Sequence, residues 1–160
     1  MGSLIFEDLD FDPSLHSEIV PLLWQGGTHD DDTIYRGQKR LPSFNDPKPF
    51  DAVVTLDSFT LPMGWLVKEM RFGFADGPNE SEVYEEVELI SNWALHQWNA
   101  GQKVLIRCQA GLNRSGLVTG LVLLKSGKSA DEVITLIRSA RGKHALSNDE
   151  FREYLLNWKA

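Results

Sequence analysis

Apolar residues along the chain follow two rhythms. Short unbroken runs bounded by turn formers occur at Asp51 to Leu56 (DAVVTL) and at Val104 to Ile106, with Val67 to Phe72 (VKEMRF) as a further short segment of the same kind. Runs of this length predict strands, buried on both faces where no polar residue interrupts them. Glu18 to Gln25 (EIVPLLWQ) predicts a strand pair or a short edge strand, because proline is tolerated at a sheet edge, and Gly26-Gly27 ends it. Longer stretches repeat every three to four residues instead. Asn79 to Ala100 predicts a helix with Val83, Val87, Ile90 and Ala94 on one face, Asn79 as N-cap, Glu82 reaching back in a capping box and Gly101 as the stop. A second helix is expected from about Asn113 to Lys125, closed by Gly127. Ser129 to Glu132 caps a third, with Val133, Leu136, Ile137 and Ala140 as its stripe, and Ser147 to Glu150 caps a last one carrying Phe151, Tyr154, Leu155 and Trp158. Trp93, Leu95 and Trp98 read as packing and surface residues and His96 as a helix surface residue. Together these elements predict an α/β protein with a central, mostly parallel sheet of about four to five strands flanked by helices.

Composition narrows the function classes. The 160 residues are 42% apolar, which suits one domain with an ordinary core. A net charge of −7 argues against a broad nucleic-acid or anionic-membrane surface. No run of about eighteen apolar residues exists to cross a membrane, and Met1 to Asp10 lacks the basic start and apolar centre of a signal peptide, so a cytoplasmic protein is expected. The single cysteine excludes an internal disulfide and leaves a thiol without a resolving partner. Met1 to Ser17 is acidic and irregular, with Phe6, Leu9, Phe11 and Leu15 expected to tuck onto the domain. Thr28 to Phe50 carries His29-Asp30-Asp31-Asp32 and the basic residues Arg36, Lys39 and Arg40. With no further ligands at telling spacing, the acidic run reads as a solvated loop and no metal is expected.

The chemistry concentrates in Lys103 to Leu124. A buried strand runs into a loop opening at Cys108, and a helix starts near Asn113. A helix start leaves backbone N–H groups unpaired and carries about half a positive charge, and successive loop N–H groups can curl into a nest of the same polarity. Such a site holds anions. A cysteine at its mouth is expected to be a thiolate. Arg114 supplies a planar fork of donors that can grip two phosphate oxygens, Gly111 lets the backbone turn and approach closely, and Ser115 can donate its hydroxyl to the sulfur.

Cys108-Gln109-Ala110-Gly111-Leu112-Asn113-Arg114-Ser115 matches a C-x5-R-S/T signature, and the chain thereby resembles the cysteine-dependent protein tyrosine phosphatase superfamily, above all its compact dual-specificity branch. The likeness covers roughly Glu18 to Trp158 and implies a single phosphatase-like catalytic domain over residues 1–160, with 1–17 as an irregular N-terminal segment. It implies Cys108 as nucleophile, Gln109 to Arg114 as the substrate-phosphate cradle, Ser115 as the group that eases thiolate departure, and a carboxylic acid that protonates the leaving oxygen. Ligands of open α/β sheets bind beyond the carboxyl ends of the strands. Asp76, in the turn Ala75-Asp76-Gly77-Pro78, lies past such an end at a separation from Cys108 similar to that of the family's general acid, and Asp57 is the reserve. Arg141 and Asn148 stand where the family often supports the active loop, although helix-end charge and helix capping explain them equally well. Neither metal nor cofactor is implied.

One position departs from the pattern. The family usually has histidine before the cysteine, and this chain has Arg107, which cannot reproduce the histidine's bond to the cysteine backbone. A slower nucleophile with a shifted pH optimum is expected. The activity implied is hydrolysis of a phosphate monoester through a cysteinyl-phosphate, with a phosphorylated protein or peptide as substrate. An RNA 5′-phosphatase remains an alternative, because Gly-Leu-Asn-Arg-Ser-Gly is similar to signatures of that branch, and so does a catalytically weak phospho-ligand binding module. Phosphoinositides fit less well, since Gln109 to Asn113 contains no lysine, and a rhodanese-like sulfur carrier does not explain Arg114-Ser115 or Asp76.

Overall fold

A computed structural model describes residues 14–29, 32–33, 43–46 and 48–160. Its elements run β1 (His16–Val20), β2 (Leu23–Gly26), β3 (Ala52–Thr55), β4 (Lys68–Arg71), α1 (Ser81–Asn99), β5 (Val104–Arg107), α2 (Arg114–Lys125), α3 (Ala130–Arg141) and α4 (Asp149–Asn157). The five strands lie in the order β1-β2-β5-β3-β4. Only β1 and β2 are antiparallel, joined by the Pro21-Leu22 turn, and the other pairs are parallel. The strand pair expected at Glu18 to Gln25 is therefore present, with Pro21 in its turn. β2 lies inside the sheet, between β1 and β5, rather than at its edge.

Register brings three strand ends to one level, since Gly26 and Thr55 both pair with Arg107. The chain leaves β5 at Cys108 beside the ends of β2 and β3, at the carboxyl edge where parallel sheets bind ligands. β3 and β5 are buried throughout, as their unbroken apolar runs predict.

The four helices among the described residues pack on one face. Val87, Ile90 and Ala94 of α1, Leu117, Val118 and Leu121 of α2, Val133 and Ile137 of α3, and Phe151 and Leu155 of α4 share one core with Leu23, Ala52, Val54, Val104 and Ile106. Each fully buried leucine or phenylalanine there contributes roughly 1.5–3 kcal/mol. Among the described residues the opposite face is covered by Phe50, Met63 and Val67 over Trp24, Val53 and Leu105 rather than by a helix.

Local signals hold except at two places. Ser129 and Glu132 form the expected capping box, Asn148 accepts from the Phe151 N–H at 3.2 Å, and Gly101 ends α1 with φ +82°. Asn79 does not cap α1. The helix begins at Ser81 after Glu80, with no side-chain cap, and the Asn79 side chain faces the preceding turn instead, its Nδ2 donating to Ala75 O (2.8 Å) and Gly77 O (2.9 Å). The expectation of an irregular segment through Ser17 also fails at its end, where His16 and Ser17 pair with Gly26 and Gln25 to open β1; residues 1–13 lie outside the described residues. Phe6, Leu9 and Phe11 lie outside the described residues. No helix among the described residues is long and apolar enough to cross a membrane.

Candidate active site

Accounting for backbone groups explains the shape of the loop from Cys108 to Asn113. Each carbonyl from Gln109 to Asn113 is held from outside the loop: Gln109 O by the Thr28 N–H (3.0 Å), Ala110 O by Arg141 Nη2 (3.3 Å), Gly111 O by Arg141 Nε (2.9 Å) and Gln25 Nε2 (3.1 Å), Leu112 O by the Leu146 N–H (3.1 Å), and Asn113 O by the Leu117 N–H (2.8 Å). Among the described residues, the N–H groups of Gln109 to Asn113 donate to no protein acceptor. With the carbonyls turned out, these amides line the concave side, and the N-terminus of α2 adds its unpaired donors. The result is a nest of positive polarity, which favours an anion.

Gly111 is the residue that permits the curl. It sits at φ +76°, and a Cβ there would come within 2.5 Å of the Gly26 carbonyl carbon and 2.6 Å of the Gly27 nitrogen. Neither backbone atom can yield. Arg141, at the end of α3 and only 3% exposed, adds a second anchor by donating through Nη1 to Ser14 O (2.6 Å) and Ser17 Oγ (3.1 Å). Of the two sequence explanations for Arg141, support of the loop is the one the geometry realises.

The side chains predicted from sequence converge on this nest. Cys108 is buried at the core's upper edge, with its sulfur 3.3 Å from Ser115 Oγ. Arg114 opens α2 and donates from Nη1 to Phe74 O (3.2 Å), while its buried Nε has no protein partner among the described residues. A buried guanidinium N–H without an acceptor is costly unless a ligand supplies one. Asp76, in the turn after β4, accepts from Asn113 Nδ2 at 3.1 Å and from Asn148 Nδ2 at 2.9 Å, so its carboxyl is tied to the rim of the loop. Asp57 is used differently. Its two oxygens accept from the Phe59 N–H (3.2 Å) and Thr60 Oγ1 (2.9 Å), the pattern of an aspartate folding its own turn.

Comparison with known proteins agrees with this geometry. Residues 60–160 match the family model described as dual specificity phosphatase, catalytic domain. The chain belongs to the dual specificity phosphatase family. Solved structures share the fold: human DUSP28 at 19% identity with a TM-score of 0.64, covering 89% of this chain and 96% of that one; Tk-PTP in its active form at 23% identity with a TM-score of 0.64, covering 91% and 99%; and the OH1 tyrosine phosphatase of Orf virus at 18% identity with a TM-score of 0.61, covering 90% and 86%. No curated protein matches the chain in sequence.

In this phosphatase Arg107 takes no part in holding the cysteine. Strand alternation turns it to the face opposite Cys108, where it is 4% exposed and donates to Thr55 Oγ1 (3.0 Å), Leu61 O (2.8 Å) and Glu69 Oε2 (3.4 Å). Glu69 also accepts from Thr55 Oγ1, Arg71 Nη1 and the Met63 N–H. Burial works against the Glu69 charge, but these donors and the charges of Arg107 and Arg71 hold its carboxyl below the usual carboxylate range. The pair thus staples the segment after β3 to the sheet end. Removing a buried partner strands the other charge. Because Arg71 lies at a partly exposed edge, the loss is discounted, and Glu69→Gln is expected to destabilise the fold by about 2 kcal/mol at pH 7. Glu69 has a lowered folded value, so its contribution is complete above about 4.5 and vanishes as pH falls through that lowered value. Urea unfolding of parent and variant from pH 7 to pH 3 checks this, with the gap in midpoint closing only in the acid range.

His16, beside the same end of the sheet, is driven down to about 4 by burial and by Arg107 and Arg141, and so is neutral at physiological pH. Of the His29 to Asp32 run, Asp30 and Asp31 lie outside the described residues, as do Arg36, Lys39 and Arg40. Among the described residues no group of three or more metal-ligating side chains gathers. Sequence reasoning passed over Gln25, Glu69 and the Asn113 amide. A buried arginine at the end of a central strand was the available signal for Glu69, since such a charge requires a carboxylate nearby. Nothing local distinguishes Gln25 from an ordinary strand residue.

Proposed function

We propose that this phosphatase hydrolyses phosphorylated side chains of proteins through a cysteinyl-phosphate on Cys108, with Asp76 as the acid and then the base. The observation that carries the reading is the inward row of unengaged amides from Gln109 to Asn113, with the unpartnered Nε of Arg114 at its end. Those donors meet the three non-bridging phosphate oxygens, whose charge they stabilise in both transition states. In the first step the Cys108 sulfur attacks phosphorus, the bond to the ester oxygen breaks, and that oxygen takes the Asp76 proton. In the second, water attacks phosphorus and gives a proton to the Asp76 carboxylate, while the S–P electron pair returns to sulfur. The Ser115 hydroxyl, 3.3 Å away, donates to the departing thiolate.

Rapid-quench kinetics with a phosphotyrosine peptide test this scheme. Labelled phosphate is expected on Cys108 during turnover. Ser115→Ala is expected to slow the second step about tenfold or more, so that a burst approaching one equivalent precedes a slower steady state. Turnover with no label on Cys108 overturns the covalent route. Release of phosphate from 5′-triphosphorylated RNA but not from phosphopeptides overturns the protein substrate, and phosphate binding without turnover identifies a binding module.

A further inference from the structure

Two side-chain amides meet at Asp76. Asn113 Nδ2 donates to Oδ2 and Asn148 Nδ2 donates to Oδ1. Amide orientation is normally an assignment, but here the far end of each amide settles it. Asn113 Oδ1 accepts the backbone N–H of Asn148 at 2.9 Å, and Asn148 Oδ1 accepts the backbone N–H of Phe151 at 3.2 Å. A backbone N–H can only donate, so both oxygens face the backbone and both NH2 groups must face the carboxyl. An NH2 group cannot take up the proton of a carboxylic acid. With each oxygen contacted on the clamp side, the proton of neutral Asp76 is left on the side away from the two asparagines.

The backbone of the same turn is fixed separately. Asn79 Nδ2 holds Ala75 O and Gly77 O, and Arg114 Nη1 holds Phe74 O. Asn113 and Asn148 therefore act on the carboxyl itself, and Asn113 does so from within the phosphate loop, so that the acid is indexed to the bound phosphate. We infer that Asn113 is a positioning residue for proton transfer by Asp76, with Asn148 as the second arm of the clamp. The inference rests on the reading of Asp76 as general acid given above.

Leaving-group dependence tests it. Phenyl phosphate expels a phenolate about as basic as that of tyrosine, whose pKa is about 10, and needs the acid, whereas p-nitrophenyl phosphate expels a much weaker base and needs it less. Asn113→Ala is expected to lower kcat/KM about thirtyfold on phenyl phosphate and about threefold on p-nitrophenyl phosphate, and to cost less than about twofold when added to Asp76→Asn. Asn148→Asp keeps the oxygen that caps α4 while removing the donor, and is expected to show the same substrate dependence. Equal losses on both substrates, or a full further loss in the Asp76→Asn background, would place Asn113 in phosphate binding or loop folding and overturn the inference. If Asp76→Asn alone shows the dependence and the asparagine variants do not, only the inference fails. If Asp76→Asn lacks it too, the assignment of the acid falls as well.

Discussion

Cys108→Ser is expected to reduce phosphate release by at least about 10⁴-fold while the protein stays folded and still binds phosphate. The size of the effect comes from what the two-step route requires of this one atom. A serine hydroxyl at neutral pH is protonated, and the side chain hydrogen-bonded at this position is another hydroxyl, Ser115 Oγ, which can donate to the departing group but is poorly suited to take its proton. Losses for removal of an activated nucleophile reach this scale in covalent hydrolases. The binding half of the site is untouched, because the cradle is built from backbone amides whose carbonyls are held by Thr28, Arg141, Gln25 and Leu146, none of which depends on sulfur. Phosphate release, thermal unfolding, and the rise in unfolding temperature on adding inorganic phosphate separate the two halves. Activity should vanish while the phosphate-induced stabilisation persists. Residual activity above about one per cent of the parent, after excluding contaminating enzyme, would move the nucleophile elsewhere.

That separation of chemistry from scaffold also marks what the sequence makes legible. β3 and β5 announce themselves because a strand buried on both faces has no polar position to confuse the period, and DAVVTL and VLI have none in their centres. Ser129 with Glu132, and Asn148 before Phe151, are readable because a cap is a local bond whose partners are three residues apart. Cys108, Gly111, Arg114 and Ser115 lie within one loop and its helix, so adjacency in sequence guarantees adjacency in space.

What is not legible is set by distance along the chain or by competition. Asn79 has the form of an N-cap, yet its side chain lies on the Asp76 turn, where Nδ2 holds two carbonyls, and local pattern cannot weigh a loop against a helix. The shared placement of the four helices on one face depends on crossovers whose direction no single segment encodes. Arg107 reads as a departure from the family pattern. Only the strand register, which sets Val53 beside Glu69 and Thr55 beside Arg107, shows that the arginine has a carboxylate of its own and faces away from the cysteine.

Arg141→Met is expected to destabilise the fold by about 3 kcal/mol and to lower kcat/KM at least about 10²-fold at a temperature where the variant remains folded. Both effects follow from a buried guanidinium whose donors reach across four acceptors in two parts of the chain, the start of β1 at Ser14 and Ser17 and the loop at Ala110 and Gly111. Hydrogen bonds to a charged group contribute about 1.5–3 kcal/mol each, partly offset by the desolvation that methionine avoids. The catalytic loss has a separate cause. With Arg141 gone, Ala110 O loses its donor and Gly111 O keeps only Gln25, so the peptide planes on either side of Gly111 are freer to rotate and their N–H groups to leave the concave face. Lysine cannot rescue this, because one ammonium cannot present donors in the directions that Nε, Nη1 and Nη2 now take. Arg141→Lys is therefore expected to resemble Arg141→Met in kcat/KM and in weakened inorganic-phosphate binding, even if part of its stability returns. Urea midpoints, phosphate titration and kinetics at low temperature distinguish the roles. Should the loss of kcat/KM disappear once both variants are fully folded, Arg141 would be a structural tether alone, and the outward hold on the loop carbonyls would have to come from Gln25, Thr28 and Leu146.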